Sequence, residues 1–231
     1  MLTSPIVIQI RNFTRKLGIN KFIGTLMSSG SYEDQFGVAF NNEIRSGDTV
    51  WDIGANIGLY TGQFKERAAP DGIIVAFEPT PSCFEELQVQ FSNDSQVVLK
   101  NCAIGESDGQ ITMVIEDNPL AATHRIIKDS LKENLQSVSV LVRSAVSIVD
   151  QEPDLFPNVV KIDVEGHEGN VIDGFSKILS DTRLRCIGIE MHFGLLAERG
   201  ESGRPKEIEQ LLADSGFKNR WTDASHLLAT R

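Results

Sequence analysis

The fold is decided by the segment Val50-Trp51-Asp52-Ile53-Gly54-Ala55-Asn56-Ile57-Gly58-Leu59-Tyr60. Its apolar start predicts a short buried strand, which breaks at Gly54 and leads into a helix that we expect to begin near Ile57. Glycine at these turns lets the backbone approach a ligand closely. The helix N-terminus presents unpaired N–H groups and the positive end of its dipole. The segment therefore predicts a ligand-binding loop at the carboxyl edge of an open parallel sheet.

This glycine loop, residues 54–58, differs from the two commonest phosphate-binding loops. Asn56 stands where the nicotinamide-binding pattern G-x-G-x-x-G has its middle glycine, and no Lys follows Gly58 as it does in a triphosphate-binding loop. The pattern D-x-G-x-N-x-G instead resembles the first motif of class I S-adenosylmethionine-dependent methyltransferases. On this motif alone, a strand-to-helix turn that binds no ligand stays an alternative.

The bulk composition limits the fold and the partners. A chain of 231 residues suits one large α/β domain better than two, and 41% hydrophobic residues supply enough apolar material for its core. The chain has 22 basic and 32 acidic residues, which gives a formal net charge of −10. Such an acidic surface disfavours binding to the phosphate backbone of nucleic acids and to anionic membranes. We therefore predict neither a nucleic-acid nor a membrane partner.

The cysteines and the apolar segments indicate the compartment. Cys83, Cys102 and Cys186 are scattered and odd in number, so they predict neither a disulfide framework nor a C-x-x-C metal knuckle. Such residues are typical of small buried side chains in a reducing compartment. The N-terminus lacks the apolar region of a signal peptide, and no stretch reaches membrane-spanning length. We therefore predict a cytoplasmic protein.

Strand and helix patterns alternate from residue 46 to the C-terminus. The apolar strands have near-continuous runs, which are typical of parallel strands covered on both faces. The strand patterns are 50–52, 73–77, 97–99, 110–115, 138–149, 159–163 and 186–190, with 217–218 and 226–230 as a closing antiparallel pair. The alternation predicts a single doubly wound, Rossmann-like α/β domain, whose mostly parallel seven-stranded sheet has an antiparallel C-terminal strand.

Two segments fall outside this regular alternation. Residues 1–45 predict an N-terminal helical cap and lead-in, with loosely helical apolar positions over 6–27. Between 116 and 136 the pattern dissolves into polar residues. Because patterned segments resume on both sides, we interpret 116–136 as an irregular insertion within one domain over 46–231.

Acidic residues close four of the predicted core strands. Asp52, Glu78, Asp163 and Glu190 follow strands whose carboxyl ends meet at one sheet edge, where such folds bind ligands. Glu78 stands 24 residues after Gly54, about the spacing at which an acid accepts the ribose hydroxyls of a nucleoside. We therefore predict ribose binding by Glu78, with a solvated strand end as the alternative.

Four segments together indicate a family: Asp52-Ile53-Gly54-Ala55-Asn56-Ile57-Gly58, Phe77-Glu78-Pro79, Asn101-Cys102-Ala103-Ile104-Gly105 and Lys161-Ile162-Asp163-Val164-Glu165-Gly166-His167-Glu168. Over about residues 48–231 the chain resembles the FkbM family of methyltransferases. The resemblance implies a class I fold and S-adenosylmethionine as the methyl donor. It also implies O-methylation of a small hydroxylated metabolite, such as a sugar, a polyketide or another natural product.

The resemblance also implies which residues bind the cofactor. They are, from the methionine end through the ribose to the adenine, Asp52, Gly54, Asn56, Gly58, Glu78, Asn101, Cys102 and Ala103. To these we add Asp163 and Pro79, because of their positions at the strand ends beside the loop. Pro79 has the further role of ending the strand behind the ribose acid.

The chemistry of methyl transfer adds a set of candidate catalytic residues. A sulfonium methyl group is already activated, so the protein must mainly align the acceptor oxygen and remove its proton. We expect Asp163 near the methyl group, Glu165 and His167 at the start of the next helix, and His192 after the next strand. Carboxylates at a helix start are also typical cap residues, and that alternative stays open for Glu165 and Glu168.

Loops set specificity on rigid scaffolds. We therefore expect the hydroxylated small-molecule acceptor to be enclosed by the lead-in at Tyr32 and Glu33 and by the insertion at Thr123, His124 and Arg125. Arg125 offers a partner for an anionic acceptor, and a solvated surface position is its alternative.

Three further interpretations compete with an O-methyltransferase that needs no metal. Asp163, Glu190 and His192 are residue types that bind Mg²⁺ or a softer divalent ion, but a His at a strand end is more often only hydrogen-bonded, and we predict no metal site. An NAD(P)-dependent oxidoreductase shares the sheet and the ribose acid, yet Asn56 and the lack of a Tyr-x-x-x-Lys pair argue against it. A catalytically inactive cofactor-binding partner protein is the third.

Overall fold

The computed structural model describes residues 35–115, 125–126 and 136–231. The helices are α1 (Gln35–Asn41), α2 (Leu59–Ala68), α3 (Pro81–Phe91), α4 (Ala145–Gln151), α5 (Glu168–Phe175), α6 (Phe193–Glu198) and α7 (Arg204–Asp214). The strands are β1 (Thr49–Ile53), β2 (Ile73–Phe77), β3 (Val97–Lys100), β4 (Ala103–Ile104), β5 (Gly109–Ile115), β6 (Arg125–Ile126), β7 (Gln136–Arg143), β8 (Val159–Ile162), β9 (Cys186–Glu190), β10 (Lys218–Trp221) and β11 (His226–Thr230). Within these ranges no helix is both long and apolar enough to cross a bilayer.

Seven strands form the main sheet in the order β3-β2-β1-β8-β9-β11-β10. At its centre β1 pairs in parallel with β2 and with β8. Trp51, Val75 and Val160 on these three strands have no solvent exposure, which explains why their sequences are apolar without alternation. The predicted doubly wound α/β fold is confirmed. Because the strand order reverses between β1 and β8, their carboxyl ends form the edge at which such folds bind ligands.

Near one edge of the main sheet, the C-terminal strand β11 runs antiparallel to its neighbours. β11 is antiparallel to both β9 and β10, as the sequence predicts. Its pairing places His226 beside Glu190, the last residue of β9. The antiparallel strand therefore brings an imidazole to the carboxyl edge of the parallel strands.

The hydrophobic core covers both faces of the main sheet. On one face the ring of Trp51 lies 4.9 Å from that of Phe77 and 5.8 Å from that of Phe175, measured between centroids. On the other face the rings of Phe40 and Phe64 are 5.1 Å apart. Aromatic packing on both sides fixes the strands whose ends form the site.

A second sheet, in the order β4-β7-β5-β6, lies beside the main one. The predicted strand over 138–149 is wrong in its second half, because Ala145–Gln151 forms helix α4. Ser144 causes the change, since its hydroxyl accepts a hydrogen bond from Ser147 N at 3.1 Å, the bond of a helix N-cap. The Val and Ile residues that follow satisfy a strand pattern and a short helix equally well.

The predicted cap over 6–27 lies outside the described residues. Within the lead-in, α1 packs on the main sheet, where the ring of Phe36 stacks on that of His226 with centroids 4.4 Å apart. Most of the insertion over 116–136 also lies outside the description, but Arg125–Ile126 forms β6, which pairs with β5. The division into a lead-in over 1–45 and a domain over 46–231 stays a prediction.

Candidate active site

The glycine loop owes its shape to residues in the left-handed backbone region. Gly54, Asn56 and Gly58 have φ angles of 79°, 52° and 90°, and glycine and asparagine adopt such angles at the lowest cost. Helix α2 begins at Leu59, two residues after Ile57, because Gly58 still has a left-handed conformation.

Gly54 brings the ends of β1 and β8 into direct contact. A Cβ atom at Gly54 would lie 1.9 Å from the carbonyl oxygen of Asp163. The Asp163 amide in turn donates to Ile53 O at 3.1 Å, and the Gly54 amide donates to Phe77 O at 3.0 Å. Only glycine fits this position, and the predicted neighbour of the loop, Asp163, lies beside it.

Glu78 joins the glycine loop to the end of β2. Its Oε2 accepts a hydrogen bond from Asn56 N at 2.9 Å, and its Oε1 accepts one from Thr80 N at 2.8 Å. Burial raises the pKa of Glu78, and the two backbone hydrogen bonds oppose that shift. The Thr80 side chain also hydrogen-bonds this carboxylate. Since a carboxylate has about four lone-pair sites, Glu78 can still accept a hydrogen bond from a ligand.

Asp52 is buried beneath the glycine loop. Its Oδ2 accepts a hydrogen bond from Thr61 Oγ1 at 2.7 Å, and its Oδ1 lies 3.4 Å from Lys161 Nζ. Lys161 Nζ also lies 3.3 Å from Asp163 Oδ2 and donates to Gly54 O at 3.4 Å. Burial lowers the pKa of Lys161, but the charges of Asp163 and Asp52 outweigh it and raise that pKa above its ordinary value. Lys161 therefore links the acids that end β1 and β8.

Asp163, Glu165 and His192 form an acid–imidazole cluster. His192 Nε2 lies 3.4 Å from Glu165 Oε2 and 3.8 Å from Asp163 Oδ1. On the other side of the ring, His192 Nδ1 lies 2.7 Å from Glu168 Oε1. Three of the predicted catalytic residues are thus within ion-pair distance, although they come from two separate chain segments.

The surroundings give these groups different protonation states. Burial raises the pKa of Glu165, and the charge of His192 lowers it. The neighbouring carboxylates raise it as well, and the resulting pKa is about 7. Burial opposes the charge on His192, but its hydrogen bond to Glu168 and the nearby carboxylates raise its pKa to about 9. Burial and the charge of Arg199 lower the pKa of His167 to about 4. At neutral pH His192 is therefore charged and His167 is neutral.

Glu190 is held by a second imidazole. His226 Nε2 lies 3.5 Å from Glu190 Oε2, and His226 Nδ1 lies 2.9 Å from Asp223 Oδ1. The hydrogen bond from His226 lowers the pKa of Glu190. The alternative metal site in the sequence consisted of Asp163, Glu190 and His192. In the structure the carboxylate and imidazole atoms that lie within 4.8 Å of one another are instead those of the acid–imidazole cluster, which contains Glu165 in place of Glu190. Lys161 and His192 already supply positive charge to that cluster, and we assign no metal to it.

These groups surround one cavity at the carboxyl edge of the parallel strands. The predicted residues that line it are Gly54, Asn56, Glu78, Pro79, Cys102, Asp163, Glu165, His167 and His192. Four predicted residues are not in its lining: Asp52, Gly58, Asn101 and Ala103. Asn101 instead supports the cavity wall, since its Nδ2 donates to Glu78 O at 2.8 Å.

Comparison with known proteins shows the family. The model of the methyltransferase FkbM domain matches residues 52–218. The chain belongs to the FkbM methyltransferase family. The match spans the glycine loop, Glu78 and the acid–imidazole cluster, so the predicted resemblance and the enzyme class, a methyltransferase, are confirmed. An NAD(P)-dependent oxidoreductase finds no support.

Three curated relatives of this FkbM methyltransferase are themselves named methyltransferases. The hexuronic acid methyltransferase AglP of Haloferax volcanii is 28% identical over 183 residues, which are 78% of this chain and 67% of the relative. Methyltransferase sdnD of Sordaria araneosa is 30% identical over 202 residues, 73% of each chain. Methyltransferase 1 of Beauveria bassiana is 31% identical over 145 residues, 54% of this chain and 57% of the relative.

A solved structure agrees on the fold. The crystal structure of a methyltransferase FkbM from Methylobacillus flagellatus aligns with a TM-score of 0.52 at 12% identity. The alignment covers 95% of this chain and 60% of that one. This chain therefore spans less than two thirds of the solved relative, and the likeness concerns the fold alone.

Several groups of this FkbM methyltransferase site had no predicted role. Thr80 and Cys83 line the cavity behind Glu78, and Met113 reaches it from the second sheet. Lys161 could have been recognised from the sequence. It is a single cation inside an apolar strand, near the acids that end two neighbouring strands, and this pattern indicates a buried ion pair. The role of Glu168 was ambiguous in the sequence, since a carboxylate at a helix start is also a typical cap residue.

Proposed function

We propose that this FkbM methyltransferase transfers the methyl group of S-adenosylmethionine to a hydroxyl oxygen of a small metabolite, such as a sugar or a polyketide. One observation supports the proposal above all: a single cavity joins Glu78, an acid with a free lone pair for a ribose, to Glu165, an acid suited to take up a proton. A methyl donor and an acceptor bound in these two halves would meet at the ends of β1 and β8.

The residues present fit a nucleoside methyl donor. Glu78 retains an acceptor position for a ribose hydroxyl, and Gly54 and Asn56 line the cavity where a methionine moiety would lie. An apolar wall suits an adenine and consists of Ile53, Phe77, Cys83, Cys102, Ile104 and Met113. S-adenosylmethionine would supply a methyl group already activated by its sulfonium. Asp52 would act indirectly, by holding Lys161 beneath the loop.

Glu165 is the residue to which we assign proton uptake. A pKa of about 7 leaves its carboxylate partly ionised at neutral pH and basic enough to accept a hydroxyl proton. His192 is already protonated at that pH, and His167, with a pKa of about 4, is a weak base. In this scheme His192 forms an ion pair with Glu165, and Asp163, held by Lys161, fixes the other side of the cluster.

The described lining favours an acceptor without negative charge. It contains the carboxyl groups of Glu78, Asp163, Glu165 and Glu190 against the single imidazolium of His192. An anionic acceptor would meet like charges in a partly desolvated cavity, whereas a neutral or cationic one would not. The relative AglP is named for a hexuronic acid. For this chain we propose instead a neutral or amino-substituted hydroxylated acceptor.

We also propose a cytoplasmic enzyme without a nucleic-acid or membrane partner. The net charge of −10 disfavours anionic surfaces, and Cys83, Cys102 and Cys186 are all free and buried. Free buried thiols are typical of a reducing compartment.

The test is mass spectrometry of methyl transfer from labelled S-adenosylmethionine into matched hexosides, amino hexosides and hexuronates. We expect the label on oxygen, and a kcat/KM at least about tenfold higher for the uncharged hexoside than for its uronate, because one like-charge contact is worth about 1.4 kcal/mol or more. Label on nitrogen, or a preference for the uronate, would contradict the proposal.

A catalytic variant and a matched control belong to the same experiment. Glu165→Gln is expected to lower kcat by about 100-fold or more while it keeps the affinity for S-adenosylhomocysteine. Glu66→Gln removes the same charge from an exposed position on α2 and is expected to change neither. An undiminished kcat in Glu165→Gln would remove its assigned role.

A further inference from the structure

Glu168 is a carboxylate without solvent exposure at the start of α5. Its Oε1 accepts a hydrogen bond from Gly166 N at 2.9 Å and lies 2.7 Å from His192 Nδ1. Within the described part of the chain, the only ion pair of Glu168 is with His192. A buried carboxylate is costly unless a cation and hydrogen bonds compensate it. Glu168 and His192 therefore belong to one electrostatic unit.

We propose that Glu168 is a positioning residue of the methyl-transfer site, which holds the His192 ring so that Nε2–H faces Glu165 and Asp163. The inference rests on the proposed function, because it gives Glu165 its role as proton acceptor. A carboxylate that accepts Nδ1–H fixes both the orientation of an imidazole and the state of its second nitrogen. The geometry agrees, since Glu168 and Glu165 lie against opposite nitrogens of the ring.

The charges around His192 explain why its protonation matters. The carboxylates that act on His192 are Asp163 and Glu165 from the β8–α5 connection, Glu168 from α5 and Glu190 from β9. Two cations act indirectly, because Lys161 from β8 is paired with Asp163 and His226 from β11 is paired with Glu190. Carboxylates predominate, so His192 keeps its proton above neutral pH. The charged ring lowers the pKa of Glu165, which burial raises. Without that charge Glu165 would be largely protonated at neutral pH and unable to accept a proton.

A purely structural role for Glu168 is the alternative, because its bond from Gly166 N is also that of a helix start. Glutamine at this position separates the two roles. Its amide oxygen can accept the same hydrogen bonds, whereas the negative charge is lost. A structural role needs only the hydrogen bonds. The proposed role also needs the charge, because the charge keeps both ring nitrogens of His192 protonated, so that Nε2–H can face Glu165.

The test is an NMR titration of His192 in the full chain, which requires neither cofactor nor acceptor. The chain has four histidines, and the variant His192→Gln assigns the signal. We expect wild-type His192 to titrate near pH 9, and to titrate at least about one pH unit lower in Glu168→Gln. Glu66→Gln, the exposed control on α2, is expected to leave the titration in place.

Each outcome decides the inference. An unchanged titration of His192 in Glu168→Gln overturns it. So does a wild-type His192 that titrates near the ordinary value of about 6.5, a result available even when Glu168→Gln does not fold. A chain whose His192 titrates as expected but which transfers no methyl group contradicts the proposed function and leaves the Glu168–His192 pair intact.

Discussion

Glu78→Ala is expected to weaken the binding of S-adenosylhomocysteine by about 10- to 100-fold. After the backbone bonds from Asn56 and Thr80 and the bond from the Thr80 side chain, the carboxylate of Glu78 keeps a lone pair for a ribose hydroxyl. A hydrogen bond to a charged group is worth about 1.5–3 kcal/mol, and about 1.4 kcal/mol corresponds to a tenfold change in affinity. One such bond accounts for an effect of this size.

Isothermal titration calorimetry measures this loss of affinity. Glu85→Ala, at an exposed position on α3, is the matched control and is expected to bind as the wild type does. Because Glu78 also holds the glycine loop, the free energy of unfolding of both variants is measured alongside. A folded Glu78→Ala variant with undiminished affinity would show that the ribose does not bind at this acid.

Gly54→Ala is expected to lower the free energy of unfolding by about 4 kcal/mol or more and to abolish cofactor binding. Two separate costs add up. Gly54 has a φ of 79°, which an alanine rarely adopts, and its new methyl group would lie 1.9 Å from Asp163 O. Relief of that contact requires the ends of β1 and β8 to separate, and the cavity lies between them.

Gly47→Ala provides the matched control for this prediction. Gly47 has nearly the same φ, 83°, but a Cβ there would meet nothing within 4 Å. We expect this variant to lose only about 1–2 kcal/mol, the cost of the left-handed conformation. Chemical denaturation measures both values. Equal losses in the two variants would mean that the contact between Gly54 and Asp163 is unimportant.

The sequence predicted those parts of the molecule that leave a backbone signature. Apolar runs without alternation indicated parallel strands, and the glycines of residues 54–58 indicated a tight loop. The strand-end acids could be grouped because parallel strands end at one edge of a sheet. On that basis Glu78, Asp163 and Glu190 were assigned to one site, and the structure brings them to one cavity.

Features that depend on a distant partner left no such signature. Glu168 has the same position in the sequence whether it caps α5 or holds His192, which lies 24 residues further along the chain. The strand pattern of β5 does not reveal that it pairs in a second sheet. Asp52 was placed against the cofactor, yet it lies beneath the loop, because its side chain points at Thr61 and Lys161.

The most direct test of the central claim, that the glycine loop binds a sulfonium nucleoside, is a calorimetric titration of the wild-type chain. S-adenosylhomocysteine is titrated first, and NAD⁺ and NADP⁺ are titrated separately. We expect saturable binding of S-adenosylhomocysteine at one site per chain, lost in Gly54→Ala, and no binding of either dinucleotide. Saturable binding of a dinucleotide without any response to S-adenosylhomocysteine would contradict the claim.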